Sequence, residues 1–295
     1  YINDIDVCVE QLLALLLKFA DDTKVIKRIL DHLDNQRLQC VIDKLHEWAD
    51  KWQLRFNIDK CKIVHMGKNN PKFQYTMNNT PIQSVESERD LGVIIDHTAK
   101  PSLQCAKAAQ KANQVLGQLL RSFQCRQTEV LVQLYKVFVR PHLEYAVQAW
   151  CPYLAKDIDV MEKVQRRMVR QIRNLQGTYE EKLRKLDLTT LKERRERGDC
   201  IETFKMLNGF SHVDYQIWFR LIDRTVGPET RLSSDPCALE LQPSRLDLRK
   251  NFFSVRVPPI WNALPLAVRQ SRSVNQFKNQ YDMFKKQNPS PHTVL

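Results

Sequence analysis

Glycine is scarce in this chain, with seven among 295 residues. Neither Gly-x-x-x-x-Gly-Lys nor Gly-x-Gly-x-x-Gly can be placed, which excludes the glycine-rich loops that cradle phosphates. The eight cysteines (Cys8, Cys40, Cys61, Cys105, Cys125, Cys151, Cys200 and Cys237) include no Cys-x-x-Cys. That argues against a zinc ribbon and against a secreted disulfide scaffold. It points to a reducing compartment inside the cell, nuclear or cytoplasmic. No segment approaches the ~20 apolar residues of a membrane-spanning helix, so no membrane partner is expected. The short run Leu12–Leu17 follows Asp4, Asp6 and Glu10, the wrong charge for a secretory leader. The seven histidines sit in no Ser/His/Asp or Cys/His setting, and neither internal repeats nor low-complexity tracts occur.

Acidic residues are also in deficit. Lys and Arg number 46 against 34 Asp and Glu, a net charge of +12. Between Lys100 and Lys205 there are 21 basic and 12 acidic residues, so most of the surplus lies mid-chain. Such a surplus favours a polyanionic partner, nucleic acid or an anionic surface. Hydrophobic residues make up 43%, enough for a sizeable core, and the length allows two compact units or one plus an extension. The chain opens on Tyr1, which suggests a piece of something longer.

Against this background the dipeptide Asp21-Asp22 stands out, placed where the apolar run Leu15–Ala20 ends and Thr23–Ile26 begins. Strands reverse at such points, which would put both carboxylates at a hairpin tip. Carboxylate oxygens are the ligands that Mg²⁺ prefers. Two-metal phosphoryl transfer uses such oxygens to hold ions roughly 3.5–4 Å apart. The plain alternative is that Asp-Asp simply makes a good turn.

Apolar residues then recur at Leu38, Val41, Ile42, Leu45, Trp48, Ala49 and Trp52, an amphipathic helix with Asp34 or Asn35 as its cap. Short β-like runs follow at Lys62–Met66, Phe73–Met77 and Leu91–Ile95. From Ala99 the pattern turns helical. Leu131, Leu134, Tyr135 and Phe138 share a face that Pro141 is expected to break. Ile158, Met161, Gln165, Met168, Val169 and Ile172 trace another helix, whose opposite side carries Lys163, Arg166, Arg167, Arg170 and Arg173. That stripe is either an ordinary solvated face or a cationic edge for a phosphate backbone. Its lack of Glu partners favours the second. Thr225–Ser244 reads as a linker and Phe253–Val257 as a short strand ended by Pro258-Pro259. Residues 273–284 read as a helix with Ser273 and Gln276 in a capping box. Trp48, Trp52, Trp150 and Trp261 read as core.

Several local strings occur together in order. They are Phe19-Ala20-Asp21-Asp22, Trp48-Ala49-Asp50-Lys51-Trp52, Phe56-Asn57 with Lys60-Cys61-Lys62, and Leu91-Gly92-Val93. Further on come Arg140-Pro141-His142-Leu143-Glu144-Tyr145, Arg194-Arg195 with Gly198-Asp199, and Trp261-Asn262-Ala263-Leu264-Pro265. With them the chain resembles the reverse transcriptases of non-LTR (LINE-type, jockey-like) retrotransposons. The resemblance implies an α+β fold, a truncated right-hand polymerase palm over 1–98. A mainly helical basic thumb over 99–224 and a C-terminal extension over 225–295 would follow. It implies RNA-directed DNA synthesis with Mg²⁺ as cofactor, an RNA template and a DNA primer. Asp21 would be the principal metal ligand and Asp22 a second ligand or support. Lys60, with Lys62 as the alternative, would lie near the leaving pyrophosphate, unless it is simply a surface lysine. Gly92 would support the primer end, and Lys163, Arg166, Arg167, Arg170 and Arg173 would contact nucleic acid. In that family another metal-binding aspartate lies upstream of the Phe-Ala-Asp-Asp box, together with the fingers. The chain contains neither. It is therefore expected not to polymerise alone, and the alternatives are a non-catalytic nucleic-acid-binding remnant or a decayed transposon product.

Overall fold

A computed structural model describes residues 3–6, 14–123, 127–222 and 235–288. Helices and small two-stranded sheets fall into two units, Tyr1–Ala99 and Lys100–Leu295.

The first unit begins with a 3-10 turn, Asn3–Asp6, then strands β1 (Leu15–Phe19) and β2 (Asp22–Ile26) and helix α1 (His32–Lys51). A 3-10 turn at Ile58–Lys60 leads into β3 (Lys62–Val64), β4 (Thr76–Met77), β5 (Thr80–Pro81), β6 (Gln83–Val85), β7 (Ser87–Asp90) and β8 (Val93–Asp96). β1–β2, β4–β5 and β7–β8 pair antiparallel, and β3–β6 pair parallel. The cap of α1 is Asp31, which accepts from Asp34 N at 2.9 Å. The expected caps lie inside the first turn and are buried. Asp34 accepts from Leu30 N at 3.0 Å, and Asn35 accepts from the Tyr75 hydroxyl at 2.9 Å. The apolar stripe starts at Leu38, well after the cap, so periodicity alone places the helix start too late. One side of α1 buries Val41, Leu45, Trp48 and Ala49 with Ile5, against Leu16 and Val25 of the hairpin. The other buries Ile42 with Tyr75, Met77 and Ile82. Trp52 departs from expectation: it caps the C-terminus of α1 and is 51% exposed.

The second unit comprises α2 (Ser102–Ser122), α3 (Thr128–Leu134), α4 (Arg140–Glu144), α5 (Val147–Trp150), α6 (Ala155–Val169), α7 (Tyr179–Lys185) and α8 (Leu191–Leu207). After the undescribed residues 223–234, which hold half of the expected linker, come α9 (Asp247–Lys250), α10 (Phe253–Asn262), α11 (Leu266–Arg269) and α12 (Val274–Gln287). α2 packs along α6, burying Cys105, Ala108, Ala112 and Leu116 on the one and Met161, Val164 and Met168 on the other.

Two expectations are corrected here. Pro141 does not end the helical run, because a π turn at Tyr135–Val139 joins α3 to α4. Pro141 thereby falls in the first turn of α4, where a missing N–H costs nothing. Phe253–Val257 is helix, not strand. Alternation over five residues also fits spacing i, i+4, and Phe253, Val257 and Trp261 all face the core shared with Cys200 and Phe204 of α8. α12 is capped as expected, Ser273 Oγ accepting from Gln276 N at 3.2 Å.

Candidate functional site

The Asp21-Asp22 pair lies at a strand reversal. Phe19 faces Asp22 across the ladder, leaving Ala20 and Asp21 as a two-residue turn. Ala20 takes φ +52°, a left-handed conformation that costs a residue with a Cβ about 1–2 kcal/mol. Both aspartates are exposed. One face of the hairpin, with Leu16 and Val25, packs on α1. The opposite face carries Leu15, Leu17, Phe19 and Ile26, each between 42% and 64% exposed.

Lys24, two residues past Asp22, forms an ion pair with Asp90, the last residue of β7. Asp90 precedes the turn Leu91-Gly92, where φ is +45° and +86°. Two positive φ angles define the hairpin turn that matches strand twist, and Gly92 supplies the second without strain. The Lys24–Asp90 pair thus ties the aspartate hairpin to the hairpin that carries Gly92. Lys60 ends the 3-10 turn, with its backbone N–H on Asn57 Oδ1 at 3.3 Å, and it is exposed. No ion pair or hydrogen bond joins it to either aspartate among the described residues. Lys62 is committed elsewhere, donating to Asp59 O at 2.7 Å and Gln83 Oε1 at 2.5 Å.

Among the described residues no group of three or more His, Cys, Asp or Glu could hold a metal ion. Asp21 and Asp22 are two neighbouring carboxylates on one turn. Two ions a few Å apart need oxygens approaching from both sides. The described residues do not fit a two-ion centre.

In the second unit, the cationic stripe of α6 is only partly free. Asp159 pairs with Lys163 at 2.8 Å and with Arg166 at 2.7 Å, and these contacts hold its carboxyl below the usual aspartate range. The stripe therefore does have an acidic partner, one turn upstream of the residues that periodicity picks out. Arg166 also lies over the Tyr179 ring, 5.3 Å from its centroid. α6 ends at Val169, so Arg170 is its C-cap and Arg173 lies beyond it. Both are exposed, and neither has a carboxylate partner among the described residues. Arg167 donates to Asn113 Oδ1 of α2 at 3.1 Å.

Beneath this face lies a buried polar network. Glu162 accepts from Tyr179, from Gln165 Nε2 at 3.1 Å and from Leu191 N at 3.0 Å, while Tyr135 donates to Gln165 Oε1 at 2.8 Å. Burial raises the Glu162 carboxyl above its ordinary range, although the bonds from Tyr179 and from Leu191 N oppose the shift. Other charges turn out to be clamps between helices. Arg194 forks onto Glu144, Arg197 onto Asp282 at 2.6 and 2.8 Å, and Arg256 onto the buried Asp199 at 3.0 and 3.1 Å. The Arg194-Arg195 and Gly198-Asp199 string thus joins α8 to α4, α10 and α12.

Sequence reasoning missed Arg121 and Gly117, where α2 meets α6. A signal was available, since residues 97–128 contain no Asp or Glu at all.

No family model and no solved structure matches the chain. It is similar to an RNA-directed DNA polymerase from the mobile element jockey of Drosophila funebris, 26% identical over 167 residues. Those residues are 54% of this chain and 18% of that protein, so the chain spans less than a fifth of its relative's length. Over about half of its length, then, the chain is similar to a retrotransposon reverse transcriptase. Among the described residues no helix is long and apolar enough to cross a membrane.

Proposed function

We propose that this chain is a reverse-transcriptase-like protein that grips a nucleic-acid duplex through its helical unit and does not polymerise DNA alone. One observation carries the reading: Phe19-Ala20-Asp21-Asp22 forms a two-residue hairpin turn with its carboxylates in the open, in a chain similar to a jockey polymerase. The first unit would be the palm-like part and the second the thumb-like part, acting on an RNA template and a DNA primer. Mg²⁺ in such enzymes neutralises charge on the reacting phosphates. Asp21 and Asp22 would contribute one edge of that centre, and a further carboxylate must come from elsewhere. Without it, what remains is binding.

Exposed cations meeting phosphates release counterions, so binding must fall steeply with salt. Fluorescence anisotropy with a labelled RNA–DNA hybrid, from about 50 to about 200 mM salt, should give a log–log slope of about −3 or steeper. Flat or undetectable binding would refute the grip.

A second reading, a decayed product without a selected role, is favoured by the open apolar row Leu15, Leu17, Phe19 and Ile26. Broad, non-cooperative melting of the purified chain would support it over the first.

A further inference from the structure

Gly117 lies in the penultimate turn of α2 and is buried. A Cβ placed there would meet two atoms beyond the helix's own backbone: Arg121 Nη1 at 3.6 Å and Arg167 Nη2 at 3.8 Å. These are ordinary contact distances, so packing does not demand glycine, and alanine would be the better helix former. The two guanidinium nitrogens accordingly lie within the sum of those distances of each other. No carboxylate is paired with either among the described residues. Arg167 is held in place through Asn113, by its side-chain oxygen at 3.1 Å and its carbonyl at 3.4 Å. Lys107 and Lys111 are exposed on α2, a helix without a single Asp or Glu, and Arg170 follows Arg167 by about one turn.

Two guanidinium groups brought together without an acid repel each other and are stabilised by an anion between them. Guanidinium forks favour phosphate oxygens, which accept at about 2.7–2.9 Å. A phosphodiester can reach both heads at once across a gap of this size. We propose that Arg121 and Arg167 grip one phosphodiester of a nucleic-acid backbone over the Gly117 notch, with Lys107, Lys111 and Arg170 beside it on neighbouring phosphates. This rests on the nucleic-acid reading above and assigns the grip to the α2–α6 seam.

The test compares the full chain with Arg121→Gln/Arg167→Gln, Gly117→Glu and Gly117→Ala, using a labelled RNA–DNA hybrid and, separately, phosphatidylserine-containing vesicles. The double variant should bind the hybrid at least about tenfold more weakly, with a salt slope shallower by about one. Gly117→Glu places a carboxylate between the guanidinium groups and should give the same loss with no drop in melting temperature. Gly117→Ala puts a methyl group on the notch floor, against both guanidinium groups, and should weaken hybrid binding less than Gly117→Glu does, with no drop in melting temperature. Wild-type affinity and slope in both the double variant and Gly117→Glu would overturn the notch while leaving the general grip intact. Loss of vesicle binding with hybrid binding unchanged would overturn it in favour of a membrane surface. If the wild-type chain itself fails to bind the hybrid, the parent reading falls first. Should the double variant melt non-cooperatively, the two Gly117 variants decide alone.

Discussion

Leu91 occupies the first position of the β7–β8 turn at φ +45°, a conformation that suits Asn or Gly far better than a branched apolar side chain. It is also 47% exposed, so little packing offsets the strain. Leu91→Asn should therefore stabilise the first unit by about 0.5–1 kcal/mol, read as a higher urea midpoint. An unchanged midpoint would mean the turn is not strained. Glu162 makes a pH prediction. Its carboxyl is raised by burial above the ordinary value of 4.5. The folded state then holds the proton more tightly than the unfolded chain. Its stabilising contribution is complete below that ordinary value and is lost as pH rises through the folded one. The wild-type stability advantage over Glu162→Gln should thus shrink on going from about pH 4.5 to about pH 7. Chemical denaturation of both proteins at the two pH values checks it, and a widening gap would contradict it. At this scale the turn at Asp21-Asp22 was legible from the string, because two apolar runs flank the pair; a metal-holding role was not, because Asp-Asp also makes an ordinary turn. Gly117 was not. A lone glycine in a helical pattern reads as a tolerated flaw, and only the converging guanidinium groups give it meaning.

Elements were legible wherever one period dominated. α1, α6 and α12 follow their apolar stripes, and the β1–β2 hairpin follows from runs flanking a turn. Residues 253–257 failed because five residues of alternation satisfy two periods, and contact with α8 decides between them. Pro141 failed because a π turn moves the proline into a permissive position, which no local pattern reveals. The hairpin itself makes a prediction. A two-stranded sheet with four exposed apolar side chains on one face, among them Leu15 and Leu17, is an aggregation hazard. Leu15→Thr/Leu17→Thr keeps β propensity and removes exposed apolar surface. Light scattering on warming should fall while the melting temperature changes little, since substitutions at such sites usually stay within about 0.5 kcal/mol. A large loss of stability would show that the row is buried in solution.

Across the whole molecule the basic surplus divides into two kinds of charge. Arg194, Arg197 and Arg256 are consumed by Glu144, Asp282 and Asp199, and they bind α4, α12 and α10 to α8. Among the described residues Arg121, Arg167, Arg170 and Arg173 have no such carboxylates and are left to face outward. Counting charges along the chain cannot separate the two kinds, because each clamp joins residues 50 or more positions apart. The aspartate hairpin has the opposite shortage: among the described residues its acids lack the companions that would enclose two ions. Primer extension on a primed RNA template with Mg²⁺ and deoxynucleotides measures this most directly. The incomplete centre predicts that the purified chain extends no primer. Extension that disappears in Asp21→Asn would contradict it, because the two carboxylates would then suffice.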